Sequence, residues 1–145
     1  MGEDQTQPII FLDASVLVAA ALSPRGGSFR VVSEAPLRGY RSITSAYAYR
    51  ETERAIRERY PQCLIELSHL VAFFEITPDP PARVVEPLLA VIDFKDAPVL
   101  ASALHYQAQT LLTLDRAHFL ENKELPSRFT GLKIMTPGDF IRCYF

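Results

Sequence analysis

Asp13 interrupts an apolar stretch, directly after Pro8 to Leu12 and just before Ala14 to Leu22, and Asp115 stands in the same way after Thr110 to Leu114. A carboxylate among apolar neighbours is costly unless positive charge compensates it, from a helix N-terminus or from a metal ion. Each of these acids therefore has two readings, N-cap or ligand. Asp96 stands two residues before Pro98 at a predicted helix start, with Asp93 as its neighbour and rival for the same role. Between Ser45 and Tyr60 the choice lies among Glu51, Glu53 and Glu58. Glu53 is placed to pair with Arg57 and Arg50 at the surface. Glu51 shares its stripe with Tyr47, Ala48 and Ala55 and is the expected buried acid.

If Asp13, Glu51, Asp96 and Asp115 converge, their mutual repulsion calls for cations between them, and hard oxygen donors select Mg2+ or Mn2+ over zinc. Two such ions about 4 Å apart can stabilise the attacking and leaving oxygens in phosphodiester cleavage. Other chemistries find less support. His69, His105 and His118 show no paired ligand spacing, Cys63 and Cys143 lie in no thiol or zinc pattern, and the glycines form neither a dinucleotide fingerprint nor a phosphate loop.

The elements that must position these acids follow from periodicity. Strands are expected at 8–12, 40–43, 73–77, 110–114 and 132–135, each an apolar or alternating run. Helices are expected at 14–22, 28–35, from a Thr44 or Ser45 cap to about Tyr60, and at 63–71, 84–91, 95–107 and 137–143. Strands alternating with helices predict an α/β fold, a three-layer α/β/α sandwich on a mainly parallel sheet. In such sheets ligands gather at the carboxyl ends of the strands, where Asp13 and Asp115 are expected.

The chain has 145 residues, 48% of them apolar and 22% charged, with a mean hydropathy of +0.06, which suits one globular domain over 1–145 and excludes collagen, coiled coil and tail-like disorder. Residues 1–7 read as a flexible N-terminal tail. The net charge of -2 excludes a strongly basic nucleic-acid coat protein. Residues 25–59 nonetheless hold eight arginines against four glutamates, a local balance of +4 that RNA could track, or else a solvated face of ion pairs. The longest apolar run, Ile9 to Leu22, is shorter than the ~20 residues a membrane helix needs, and no base precedes it as in a secretory signal. A cytoplasmic protein with reduced thiols is the expectation.

Four segments together resemble a PIN-domain ribonuclease: Phe11-Leu12-Asp13-Ala14-Ser15 with Val16-Leu17-Val18, Glu51 within Tyr49-Arg50-Glu51-Thr52-Glu53, Lys95-Asp96-Ala97-Pro98-Val99-Leu100, and Thr113-Leu114-Asp115. Their order and spacing span nearly the whole chain. The resemblance implies Mg2+ or Mn2+ held by Asp13, Glu51, Asp96 and Asp115, and hydrolysis of single-stranded RNA by an endoribonuclease. Ser15 and Thr113 then orient ligands or waters, or serve simply as turn hydroxyls. Arg50 and Arg54 are the candidate substrate-binding bases.

Small PIN domains of this kind are similar to toxins of toxin-antitoxin pairs, which implies a small antitoxin partner and a homodimer with paired sites. Val18, Leu22, Phe29 and Val32 are the expected dimer contacts. A free-standing RNA-processing nuclease, and a catalytically silent RNA- or protein-binding PIN module, remain the competing functions. A haloacid-dehalogenase-like phosphatase is disfavoured because the position after the first strand reads Asp13-Ala14-Ser15 without the second acid. A receiver domain is disfavoured because it wants paired acids there and a mid-chain phosphoacceptor.

Overall fold

The computed structural model describes residues 7–145, so the expected tail, Gln7 apart, lies outside the described residues. Five strands form one parallel sheet: β1 (Ile9–Leu12), β2 (Arg41–Ser45), β3 (Glu75–Thr77), β4 (Thr110–Leu112) and β5 (Lys133–Met135). Their order is β3-β2-β1-β4-β5, with Phe11 opposite Ile43 on one side and Leu111 on the other. The chain thus builds outward from β1 in one direction through β3, then returns to β1's other side with β4. That reversal opens a crevice at the carboxyl ends of β1 and β4.

Helices α1 (Ala14–Leu22), α2 (Gly27–Glu34), α3 (Ala46–Arg59), α4 (Leu64–Leu70), α5 (Ala82–Val85), α6 (Ala97–His105), α7 (Glu124–Arg128) and α8 (Pro137–Tyr144) surround the sheet. Strand side chains alternate between two cores. Ile10, Leu12 and Leu112 bury against Val16, Leu17, Val31, Val32, Leu67, Leu70 and Phe140 from α1, α2, α4 and α8. Phe11, Ile43 and Leu111 bury against Val99, Leu100, Ala103, Phe119 and Leu125 on the opposite face. A sheet buried on both faces explains why its strands read as continuous apolar runs. The architecture is the expected three-layer α/β/α sandwich.

Several boundaries differ, each for a local reason. The helix expected over 84–91 is α5 followed by a 3-10 turn, Glu86–Ala90, because Pro87 has no N–H to continue an α ladder. A 3-10 turn at Val71–Phe73 delays β3 to Glu75. Strand β4 ends at Leu112, so Asp115 is carried out on a short loop rather than following the strand at once. A single π-helical turn, Arg116–Leu120, and α7 occupy a stretch with no clear periodicity. One of the four expected dimer contacts, Val32, is corrected too. Val32 is 0% exposed and lies in the core, while Val18, Leu22 and Phe29 are half-buried and pack onto the same cluster. The large apolar side chains left exposed are elsewhere, among them Leu37, Ile65, Leu89, Phe94 and Leu114. Among the described residues no helix is long and apolar enough to cross a membrane.

Candidate functional site

Strand β1 delivers Asp13 to the crevice, where its N–H donates to the Leu112 carbonyl at 3.0 Å and continues the β1–β4 pairing by one residue. The N-cap reading of Asp13 holds. Its Oδ1 accepts from the Ala14 N–H at 2.9 Å and caps α1, while its Oδ2 accepts from the hydroxyls of Ser15 at 2.9 Å and Thr113 at 2.7 Å. Each hydroxyl also accepts a backbone N–H, Ser15 from Leu114 and Thr113 from Asp115, both at 3.0 Å. The two hydroxyls therefore tie the end of β1 to the loop after β4 and fix the Asp13 carboxylate in one orientation. Burial pushes the Asp13 carboxyl above its ordinary pKa, the bonds from Thr113, Ser15 and Ala14 oppose this, and nearby Asp115 adds to the rise.

Asp96 occupies the N-cap position of α6, yet its side chain makes no capping bond. The turn before the helix is made instead by Asp93, which is exposed, takes the Lys95 N–H on its carboxylate and receives the Asp96 and Ala97 N–H groups on its carbonyl. That division of labour leaves Asp96, not Asp93, to face the crevice. Its Oδ2 is buried without a hydrogen bond, although His118 Nδ1 stands 3.1 Å away at an angle that forms none. Burial, with Asp115, Asp13 and Asp93 adding and His118 opposing, raises the Asp96 pKa to about 6.

Asp115 caps the π-helical turn by accepting the His118 N–H at 3.0 Å on Oδ1, and its Oδ2 lies 3.2 Å from His118 Nδ1. Asp96, Asp115 and His118 each present one donor atom within 4.8 Å of the others; Asp13 interacts by charge with both acids, and Glu51 with Asp13. His118 was set aside in the sequence, where the search was for histidine pairs. Its partners are acids, and Asp115 three residues earlier, just beyond a buried strand, was the available signal.

Glu51 is half-buried rather than buried. The inner stripe of α3 is Ala48, Thr52 and Ile56, with Thr52 hidden because its hydroxyl donates to the Ala48 carbonyl at 2.8 Å. Glu51 lies on the flank of that stripe. Burial raises its pKa, the Tyr47 hydroxyl lowers it, Asp13 raises it, and Arg54 and Lys95 lower it, so Glu51 shares the electrostatic field of the crevice. Tyr47 donates to the Lys95 carbonyl at 2.9 Å and fastens α3 to the loop before α6, and its own pKa is pushed up to about 12 by burial, then by Glu51 and Asp96. Glu53 stands beside Arg57 at 3.9 Å on the surface, as its spacing predicted. Arg50 is taken by Asp79 at 3.4 Å, whereas Arg54 is exposed and forms no ion pair among the described residues.

Carboxylates from β1, α6 and the loop after β4 therefore meet at one strand edge, with Glu51 on the adjoining wall. The donor set and the buried Asp96 Oδ2 fit a divalent cation, because that oxygen has no hydrogen bond among the described residues and its near neighbour His118 bonds to Asp115 instead.

This arrangement is that of an α/β domain with acids gathered at the carboxyl edge of a five-stranded parallel sheet. The PIN-domain profile matches residues 9–117, and the chain belongs to the PIN-domain family. Among solved structures it is similar to VapBC2 of Rickettsia felis bound to a promoter DNA fragment, at 15% identity over 87% of this chain and 96% of that one, with a TM-score of 0.66. PAE2754 of Pyrobaculum aerophilum superposes at a TM-score of 0.61 and 20% identity, covering 93% of this chain and 88% of its own. VapC20 of Mycobacterium tuberculosis, a toxin that cleaves the sarcin-ricin loop, does so at 0.58 and 17%, covering 74% and 91%. At such identities the likeness is one of fold. No curated protein matches the sequence.

Proposed function

We propose that this PIN-domain protein is a divalent-metal-dependent endoribonuclease that hydrolyses single-stranded RNA and acts as the toxin of a toxin-antitoxin pair. The observation that carries the reading is the buried, unbonded Asp96 Oδ2 facing Asp115 in the crevice of a PIN fold. Asp13, Glu51, Asp96 and Asp115 hold Mg2+ or Mn2+, with Asp13 kept in place by Ser15 and Thr113. A bound divalent ion supplies Lewis acidity, which lowers the pKa of water and draws charge from the phosphoryl oxygens.

The chain's own residues do the rest. Arg54, exposed and near enough to Glu51 to lower its pKa, receives backbone phosphates of the strand, and Lys95 adds positive charge to the same field. Phe94, 71% exposed and two residues before Asp96, offers a ring on which an unpaired base can stack. Duplex RNA presents no such free base face. The presence of all four acids opposes the catalytically silent alternative. Relatives of the same fold are solved as VapBC and FitAB assemblies, which supports a small antitoxin as partner. A homodimer remains part of the proposal, with Val32 excluded from its interface.

Incubation of the purified protein with single-stranded and duplex RNA, with Mg2+ or Mn2+ and with EDTA, tests the reading. Cleavage of the single strand that EDTA abolishes is expected, together with growth arrest on expression that Asp13→Asn relieves. Cleavage that persists in EDTA, or no cleavage with either ion, would overturn it.

A further inference from the structure

Resting on the metal-dependent reading above, the geometry points to His118 as a direct donor to the ion, so that the site takes a first-row transition-metal dication, Mn2+ among them, in preference to Mg2+. The argument begins with one nitrogen that faces two carboxylates. His118 Nδ1 lies 3.1 Å from Asp96 Oδ2 and 3.2 Å from Asp115 Oδ2, nearly equidistant from oxygens carried by two different elements. A single N–H can serve only one of them. It hydrogen-bonds to Asp115 and leaves Asp96 Oδ2 without a hydrogen bond in an enclosed position. A cation among the three atoms serves all of them together.

The spacing suits that arrangement. Donors bound at about 2.1 Å and at right angles stand about 3.0 Å apart. The two nitrogen-to-oxygen separations match that edge, and the three donor atoms all fall within 4.8 Å of one another. His118 is held for the role by its own backbone, since the π-helical turn places its N–H on Asp115 Oδ1 and brings its ring back over Oδ2. The ring is otherwise exposed, and packing does not require an imidazole there.

Donor chemistry then sets the preference. Three or four carboxylates alone make a hard oxygen site suited to Mg2+, whereas an imidazole nitrogen favours first-row transition ions. Mn2+ accepts both donor types and is paramagnetic, which makes it the probe. Calorimetric titration of the metal-stripped protein should give Mn2+ binding about tenfold or more tighter than Mg2+. His118→Ala should lose most of that preference while Mg2+ affinity changes about twofold or less. Pulsed electron paramagnetic resonance of the Mn2+-loaded protein should show nitrogen modulation that is absent from His118→Ala.

Circular dichroism of the variant checks the fold. Mn2+ bound without nitrogen modulation, or an unchanged Mn2+ to Mg2+ ratio in His118→Ala, would overturn the assignment of His118 and leave the metal-dependent reading standing. Failure of the wild-type protein to bind either ion would overturn both.

Discussion

The two ends of the sheet treat the same functional group in opposite ways. At the amino end, Arg41 opens β2 and Glu75 opens β3, and the guanidinium forks onto the carboxylate at 2.8 and 2.9 Å. Glu75 is held below its ordinary pKa by that bond, and both side chains remain in solvent. At the carboxyl end, Asp13, Glu51 and Asp96 are all raised, with burial the largest cause in each. An acid at one end has a partner supplied by the chain. At the other end several acids face one another, with His118 opposing the rise at Asp96 and Arg54 and Lys95 opposing it at Glu51. A fold that needed only stability would not bring them together, and the contrast separates a structural ion pair from a crowded cluster of acids.

The largest expected effect comes from removing one of the crowded charges. Asp13→Asn should cut RNA cleavage by about a thousandfold or more, as loss of an ion-binding carboxylate removes several kcal/mol of transition-state stabilisation. The metal-free variant should unfold at the same temperature or higher, because like-charge repulsion falls while Ser15 and Thr113 keep an oxygen to bond. Retained activity would make Asp13 a cap and nothing more. Next in size is the contrast along α3, where Glu51→Gln should lower activity by about tenfold or more and Glu53→Gln by less than about twofold. The reverse order would move the site to the Arg57 side of the helix.

A smaller effect concerns pH. Asp96 titrates near 6 in the fold and near 3.8 ordinarily, so between those values the native state holds the extra proton and stability falls as pH rises. Asp13 and Glu51, also raised, act in the same direction. In EDTA the melting temperature should therefore drop by about 3 °C from pH 5 to pH 7.5, corresponding to about 1 kcal/mol once solvent screening of the half-exposed Asp96 is allowed for. Asp96→Asn should flatten that slope, and saturating Mn2+ should reverse it. The smallest effect is expected at the other end. Glu75→Gln should cost about 0.5 kcal/mol, less in high salt, and leave cleavage unchanged, since the pair is exposed and far along the sheet from the acids.

Much of this was legible in the residues because burial on both sheet faces gives strands an uninterrupted apolar signature, as in Ile9–Leu12. Ser45 as the cap of α3 was legible from its side-chain chemistry, and it accepts the Ala48 N–H at 3.0 Å. What escaped were features set by tertiary contact. Glu51 looked buried because Tyr47, Ala48 and Ala55 formed the apparent apolar stripe, whereas Thr52 hides its hydroxyl on Ala48 and takes the inner position. Asp93 and Asp96 could not be separated until the turn showed which carboxylate was already committed to backbone. Half of the His118 contact was local, through Asp115 three residues earlier, but its approach to Asp96 lies across two elements and no local spacing joins them.

The hydrogen bond from Thr113 to Asp13 links residues one hundred positions apart, and Asp115 lies further on still. A ribosome has therefore released most of this chain before its cluster of acids can exist. Through the making of β1, β2 and β3 the nascent protein carries Asp13 and Glu51 but no strand on the other side of β1, and so no crevice. Only when β4 docks beside β1 do the two halves of the cluster meet. On the proposed reading as a nuclease of single-stranded RNA, that order would keep the messenger being translated away from a finished site until β4 is made.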